Sequence, residues 1–369
     1  SAIFNSDFVH TRCQKANTTE VLEDYVHLQM WNARDDGGRK SKKKCYSSHT
    51  TTINEEEVDA KPNIFIFVFD SVASTQALRS LPKTISLLEH EFEAVNLRHV
   101  NKIGENSHPN GMAMLCGKLI NDIDKSVFGM EKEKADWNET QACYRYLDEE
   151  PFILKEFTKK GYKSLMAEDW AAGVFNHPNC WGFKAAPVTH YMRKHREVVG
   201  STELSKLNDM LKLDKSYVFL MGDHGIRWGK VRDTPIGERE INNPMMFVSV
   251  PRHLRKRINS VLKKKSNHLL TSFDIHASLV DILQKPHLGG LEGPRGLRGS
   301  SFFRSLPPGE RSCRTLPIPI QFCLCEWNKT KSNDDKVNEE LGIAAVNLLN
   351  AKLQEYQITN ACEEFTFKK

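Results

Sequence analysis

No run of about 18 apolar residues occurs in the chain, so nothing in it reads as a bilayer-spanning helix. No dense basic patch alternates with aromatics, and the net charge of +5 over 369 residues is modest. Nucleic acid is therefore excluded as the expected partner. The cysteines avoid the paired spacings of a zinc ribbon or finger, and no segment repeats another. The chain starts at Ser1 rather than methionine, which leaves room for a signal peptide or membrane anchor upstream.

What is present points to the secretory pathway. Nine cysteines are many for a cytosolic enzyme and suit disulfides in an oxidising compartment. Cys313, Cys323 and Cys325 cluster, which predicts a stapled tail. The odd count leaves a free thiol, expected at Cys116 inside an apolar helix. Asn17, Asn138 and Asn328 each begin a glycosylation sequon. The expectation is a secreted or lumenal glycoprotein.

Residues 1–60 read as a peripheral segment and linker, with a basic run at Arg39–Lys44 and an acidic one at Asn54–Asp59. Residues 61–330 read as the main domain, and residues 331–369 as a terminal helix and tail. The run Ile64–Phe69 predicts a strand buried on both faces, ending at Asp70. Asp70 is then either a ligand-bearing carboxylate or the cap of the next helix. Helical spacing over Leu81–Phe92, a short strand over Ala94–Val100, a helix over Phe152–Lys160 and a strand over Tyr162–Ala167 follow. A helix over Leu204–Leu213, a buried strand over Ser216–Met221, a strand over Pro244–Val250 and helices over Arg255–Lys265 and Thr271–Leu283 continue the alternation. That pattern predicts an α/β domain with a mainly parallel sheet. His276 reads as a core residue rather than a ligand, and Val337–Gln354 as an amphipathic helix.

Two stretches carry chemistry. Asn106-Ser107-His108-Pro109 places a serine at a helix start, where free N–H groups favour an anion. Ser107 is either an ordinary cap or a nucleophile facing a phosphate or sulfate ester. Gly222-Asp223-His224-Gly225 follows the buried strand and offers an oxygen and a nitrogen to a divalent metal. The flanking glycines suit a tight turn around an ion. Arg227, Lys230, Arg232 and Arg239 follow, as a solvated loop or as recognition of an anionic substrate. The histidines of residues 168–196, His190 among them, lie in a long loop.

Asp70, Ser107 and Asp223-His224-Gly225, in that order, resemble the alkaline phosphatase and sulfatase superfamily. Ser107 stands where sulfatases carry their modified cysteine, and Pro109, Leu115 and Gly117-Lys118 keep the frame. Gly111 stands where the sulfatase arginine belongs, which argues against conversion to formylglycine and against a true sulfatase. More narrowly, the chain resembles the animal family called domain of unknown function two-two-nine, abundant in nematodes and insects. Phe69-Asp70-Ser71, Gly104 to Gly111, Ala167 to Trp170, His190 to Arg193, Asp223 to Arg227, Asp274 to His276, Arg298 to Ser301 and Cys323-Leu324-Cys325 carry that likeness.

The resemblance implies a three-layer α/β/α sandwich, alkaline-phosphatase-like, with its site at the carboxyl ends of the strands. It implies one divalent ion on Asp70, Asp223 and His224, zinc or manganese first and calcium third. Ser107 would then attack a phosphate ester, or less readily a sulfate ester, of a small molecule, glycan or lipid. Asn106, His190, Arg227, Lys230 and Arg232 are the candidate substrate contacts. One departure stands out. A segment expected between the His190 region and the Asp223 strand is absent, because His195-Arg196-Glu197 passes almost directly into the Leu204 helix. With it goes the expected substrate or second-metal side of the site. The competing expectation is accordingly a catalytically inactive secreted binding protein on the same scaffold.

Overall fold

The computed structural model describes residues 7–28, 61–170, 173–193, 213–290, 293–325, 333–355 and 362–368. The predicted helix over Leu204–Leu213, the charged runs of residues 39–59, the shortened segment after His195 and the Asn328 sequon lie outside them almost entirely. The chain divides into two compact units, Ser1–Leu324 and Cys325–Lys369.

The first unit opens with a hairpin of β1 (Phe8–Gln14) and β2 (Val21–Leu28), paired antiparallel. This hairpin falls within the segment read as peripheral linker. Its strands place few large apolar side chains in a row, so periodicity does not mark them. Next come β3 (Asn63–Phe69), α1 (Ser74–Ser80), α2 (Pro82–Glu91), β4 (Val95–Asn96), β5 (Val100–Asn101) and α3 (Ser107–Cys116). Then follow α4 (Glu139–Cys143), α5 (Ile153–Lys159), β6 (Leu165–Met166), β7 (His190–Tyr191) and β8 (Ser216–Gly222). The unit is completed by α6 (Pro235–Asn242), β9 (Met246–Ser249), α7 (Arg252–Lys265), β10 (Leu270–Thr271) and α8 (Ser272–Gln284). The second unit holds α9 (Asp335–Glu355).

The result is a mixed α/β fold. Its largest sheet has the order β3-β8-β9-β4. Only β3 and β8 run parallel there, whereas β8–β9 and β9–β4 are antiparallel. The expected mainly parallel sheet is therefore mixed among the described residues. The reason is that the chain leaving β8 returns through α6 and enters β9 in the opposite direction. Two further parallel pairs, β5–β10 and β6–β7, stand outside this sheet.

Burial follows the apolar runs with one exception. Every residue of β8 is buried. Tyr217, Phe219 and Met221 join a large cluster with Met112 of α3, Leu254 of α7 and Ile275 of α8. Leu220 joins a smaller cluster with Phe247 of β9, Ala77 of α1 and Ile85 and Leu88 of α2. Alternate residues of one strand thus serve two cores, as a strand covered on both faces must. β3 does not match its expected burial: Phe67, Val68 and Phe69 are 36%, 45% and 41% exposed. It pairs with β8 alone among the described residues, and an apolar run does not reveal how many neighbours its strand has.

Several residues read as motifs serve to hold the fold. Asp274 caps the start of α8 by accepting from the Thr271 N–H at 2.7 Å, and also accepts from Ser300 N–H and Arg311. A Cβ on Gly299 would lie 2.0 Å from the Phe273 carbonyl oxygen, so that loop needs glycine for close approach. His276 Nδ1 donates to the Met114 carbonyl at 3.0 Å, tying α8 to α3 as a core residue. Disulfides join Cys143 to Cys180 and Cys313 to Cys323, and Cys116 is a buried free thiol. Among the described residues, no helix is long and apolar enough to cross a membrane.

Candidate metal centre

β3 and β8 lie side by side in parallel register, with Phe69 opposite Gly222. Their next residues therefore emerge together at the carboxyl end of the sheet. Asp70, Asp223 and His224 each bring one ligand atom there, all within 4.8 Å of one another. Burial grades across the group: Asp70 is 66% exposed at its side chain, Asp223 8% and His224 0%.

The hydrogen bonds orient these side chains. Asp223 Oδ1 accepts from the Ser71 N–H at 3.1 Å and from the His224 N–H at 2.9 Å. Ser71 Oγ donates to Asp70 Oδ1 at 2.8 Å. His224 Nδ1 lies 2.8 Å from the Gly225 carbonyl oxygen, which only accepts, so Nδ1 carries the proton. Nε2 then presents its lone pair. That atom is buried, has no hydrogen-bond partner, and lies 3.4 Å from both Asp70 Oδ1 and Asp223 Oδ2. A lone pair facing two carboxylates needs a cation between them, either a proton or a metal ion. This donor set of one nitrogen and two carboxylates suits zinc or manganese.

The glycines of the motif work differently from the expected tight turn, for neither has a positive φ. A Cβ on Gly222 would lie 2.2 Å from the Val72 carbonyl oxygen, and one on Gly225 would lie 1.7 Å from that of Glu240. They let the ligand-bearing loop lie directly against backbone. The Gly225 N–H also donates to Ile241 O at 3.0 Å, so α6 braces the loop. Buried Glu240 in turn holds α1 through Thr75 and Arg79.

Ser107 is the first residue of α3 and is half-buried. The cap is Asn106, whose side chain accepts from the His108 N–H at 3.0 Å. Asn106 thus spends that oxygen on the helix, and Ser107 keeps its hydroxyl free of the capping role. Asn110 pins the preceding turn, accepting from Ile103 N–H and donating to the Gly104 and Asn106 carbonyls. Gly111 packs on Val174, whose Cγ1 would lie 2.5 Å from an added Cβ, so a side chain here would require Val174 to shift.

Beside α3 stands a group the sequence does not announce. His108 and His177 stack with centroids 5.6 Å apart, and Trp170 meets His177 edge-on. Burial pushes both imidazoles below the usual histidine range, and His108 and Arg227 add to the effect on His177. Lys102 is fully buried with its ammonium over the Phe322 ring, and burial lowers its pKa despite Glu105 at 3.4 Å. In the sequence, His108 is marked by its place beside Ser107, and Trp170 and His177 by the long loop of residues 168–196; their meeting is not.

The remaining candidates divide. His190 is buried and its Nδ1 lies 2.9 Å from both carboxylate oxygens of Asp7, so it is engaged there rather than in the ligand group. Arg227 is half-buried with its guanidinium 5.9 Å from the Trp228 ring. Lys230 and Arg232 are exposed on a 3-10 turn over Lys230–Asp233, within the stretch read as a solvated loop or as an anion contact.

A family model described as a protein of unknown function, DUF229, matches residues 3–200 and 197–369. The two matched stretches overlap at residues 197–200. No curated protein matches the chain.

Proposed function

The chain belongs to the DUF229 family, and from that membership and the geometry of Asp70, Asp223 and His224 we propose that it is a metal-dependent hydrolase or transferase of phosphate esters. The observation that carries this reading is the unpartnered Nε2 of His224 facing two carboxylates. Asp70, Asp223 and His224 hold one divalent ion, zinc or manganese before calcium. The bound ion supplies positive charge that favours the alkoxide form of a serine and offsets charge building on the ester.

Ser107 is the nucleophile. Its oxygen bonds to phosphorus as the ester's alcohol leaves, and water or an acceptor alcohol then takes the phosphoryl group from the serine. The start of α3 and the cations Arg227, Lys230 and Arg232 stabilise the anionic substrate. A three-layer α/β/α arrangement belongs to the same reading, supported by the two clusters served by alternate residues of β8. So does a secreted or secretory-lumen location, supported by the two disulfides. Sulfate esters are disfavoured because Gly111 stands where the sulfatase motif carries arginine, so Ser107 is not expected to become formylglycine.

A second reading is favoured by one observation, the join of the two family matches at residues 197–200. On that reading the chain keeps the scaffold as a secreted binding protein without turnover. Metal content and aryl phosphate turnover of the protein from a secretory host separate the two. The enzyme reading expects close to one ion per chain and turnover abolished in Ser107→Ala with the ion retained. Absence of both ion and turnover overturns it, and turnover surviving in Ser107→Ala removes the serine from its role.

A further inference from the structure

We propose that residues 226–239 form a docking face for anionic lipid bilayers. Trp228, Val231 and Ile236 are 74%, 52% and 66% exposed within nine residues of chain. Cations are interleaved with them: four of the residues in 226–239 are Arg or Lys and two are Asp or Glu, a formal charge of +2. The stretch begins just after the ligand-bearing loop and is built to a definite shape. Thr234 caps α6, accepting from the Gly237 N–H at 3.1 Å, with Pro235 at the first helical position. A Cβ on Gly237 would lie 1.7 Å from the Val231 carbonyl oxygen, so the 3-10 turn is seated directly on α6. The apolar side chains point outward from a braced turn, where solvation in water is unfavourable.

The chemistry selects the occupant. An acidic peptide or glycan satisfies Lys230 and Arg232 and leaves Trp228, Val231 and Ile236 in water. A bilayer takes both sets: the indole sits at headgroup depth, the aliphatic side chains reach the acyl boundary, and the cations meet lipid phosphates. The face shares Lys230 and Arg232 with the substrate contacts proposed above, but docking requires neither ion nor turnover, so vesicle binding and aryl phosphate turnover fail separately.

The test is co-sedimentation of the full chain with phosphatidylcholine vesicles, with and without phosphatidylserine. Binding is expected with phosphatidylserine present, falling as salt is raised. The double variant Trp228→Ala/Ile236→Ala should lower partitioning by about tenfold or more, because both apolar groups that enter the bilayer are removed. Lys230→Gln/Arg232→Gln should abolish the preference for phosphatidylserine. Thermal melting of each variant checks that the fold is retained, because all four side chains are exposed. No sedimentation with either vesicle overturns the proposal. So does sedimentation unchanged in Trp228→Ala/Ile236→Ala, or binding confined to a soluble polyanion such as heparin.

Discussion

β3 and β8 are neighbours, both written as continuous apolar runs and both ending in an aspartate, yet they live in different surroundings. β8 has a strand on each side and a core on each face; β3 has β8 on one side, and its last three apolar residues are open to solvent. The ligands inherit the difference. Asp223 and His224 sit in a loop held by backbone contact on two sides, whereas Asp70 projects from the exposed strand. The proposed centre thus has a half braced by backbone contact, here called rigid, and a half open to solvent.

Stability gives the widest test of that contrast. Phe219→Ala removes a fully buried ring and should cost about 3–5 kcal/mol, read by urea unfolding. Phe67→Ala, at 36% exposure, should cost clearly less, on the order of 1 kcal/mol. Equal losses would mean that β3 is covered in solution and that the two strands do not differ.

The same asymmetry should appear in metal affinity. His224→Ala removes a buried ligand from the rigid half and should weaken binding by more than about 100-fold, beyond the range of an outer-sphere partner. Asp70→Asn keeps a neutral oxygen on the open half and should weaken binding by roughly tenfold. Competition with a chromogenic chelator measures both. A larger loss for Asp70→Asn would reverse the assignment of halves.

The two apolar runs made each aspartate legible as a residue just past a strand end, but their grouping came only from the family resemblance. It is the parallel register of β3 and β8 that puts Asp70 beside Asp223-His224. The positions of α2, α3, α5 and α8 followed from spacing, and the start of α3 from Pro109. The exposure of β3 was not legible, because an apolar run encodes strand propensity and not neighbour count. Nor was the fate of His190, whose partner Asp7 lies 183 residues away in sequence. The glycines flanking Asp223-His224 suggested a turn, but the constraint is a neighbouring carbonyl that only tertiary packing supplies. The hairpin of β1 and β2 escaped notice because its strands bury little.

Ser71 joins the two halves, and its substitution should have the smallest effect of those considered. It adopts φ +62°, a left-handed conformation that costs a residue other than glycine on the order of 1 kcal/mol. Its N–H holds Asp223 while its hydroxyl holds Asp70. Ser71→Gly relieves the backbone and loses the hydroxyl, so stability should change by less than about 1 kcal/mol as the two effects offset. Ser71→Ala keeps the strained backbone and loses the same hydroxyl, and should be the less stable of the pair. Metal affinity should fall by the same few-fold in both, because each frees Asp70 and leaves the N–H on Asp223 in place. A loss in Ser71→Ala far exceeding that in Ser71→Gly would show that backbone geometry, not the hydroxyl, governs the open half, and the division between a rigid and an open half would then fail at the residue that connects them.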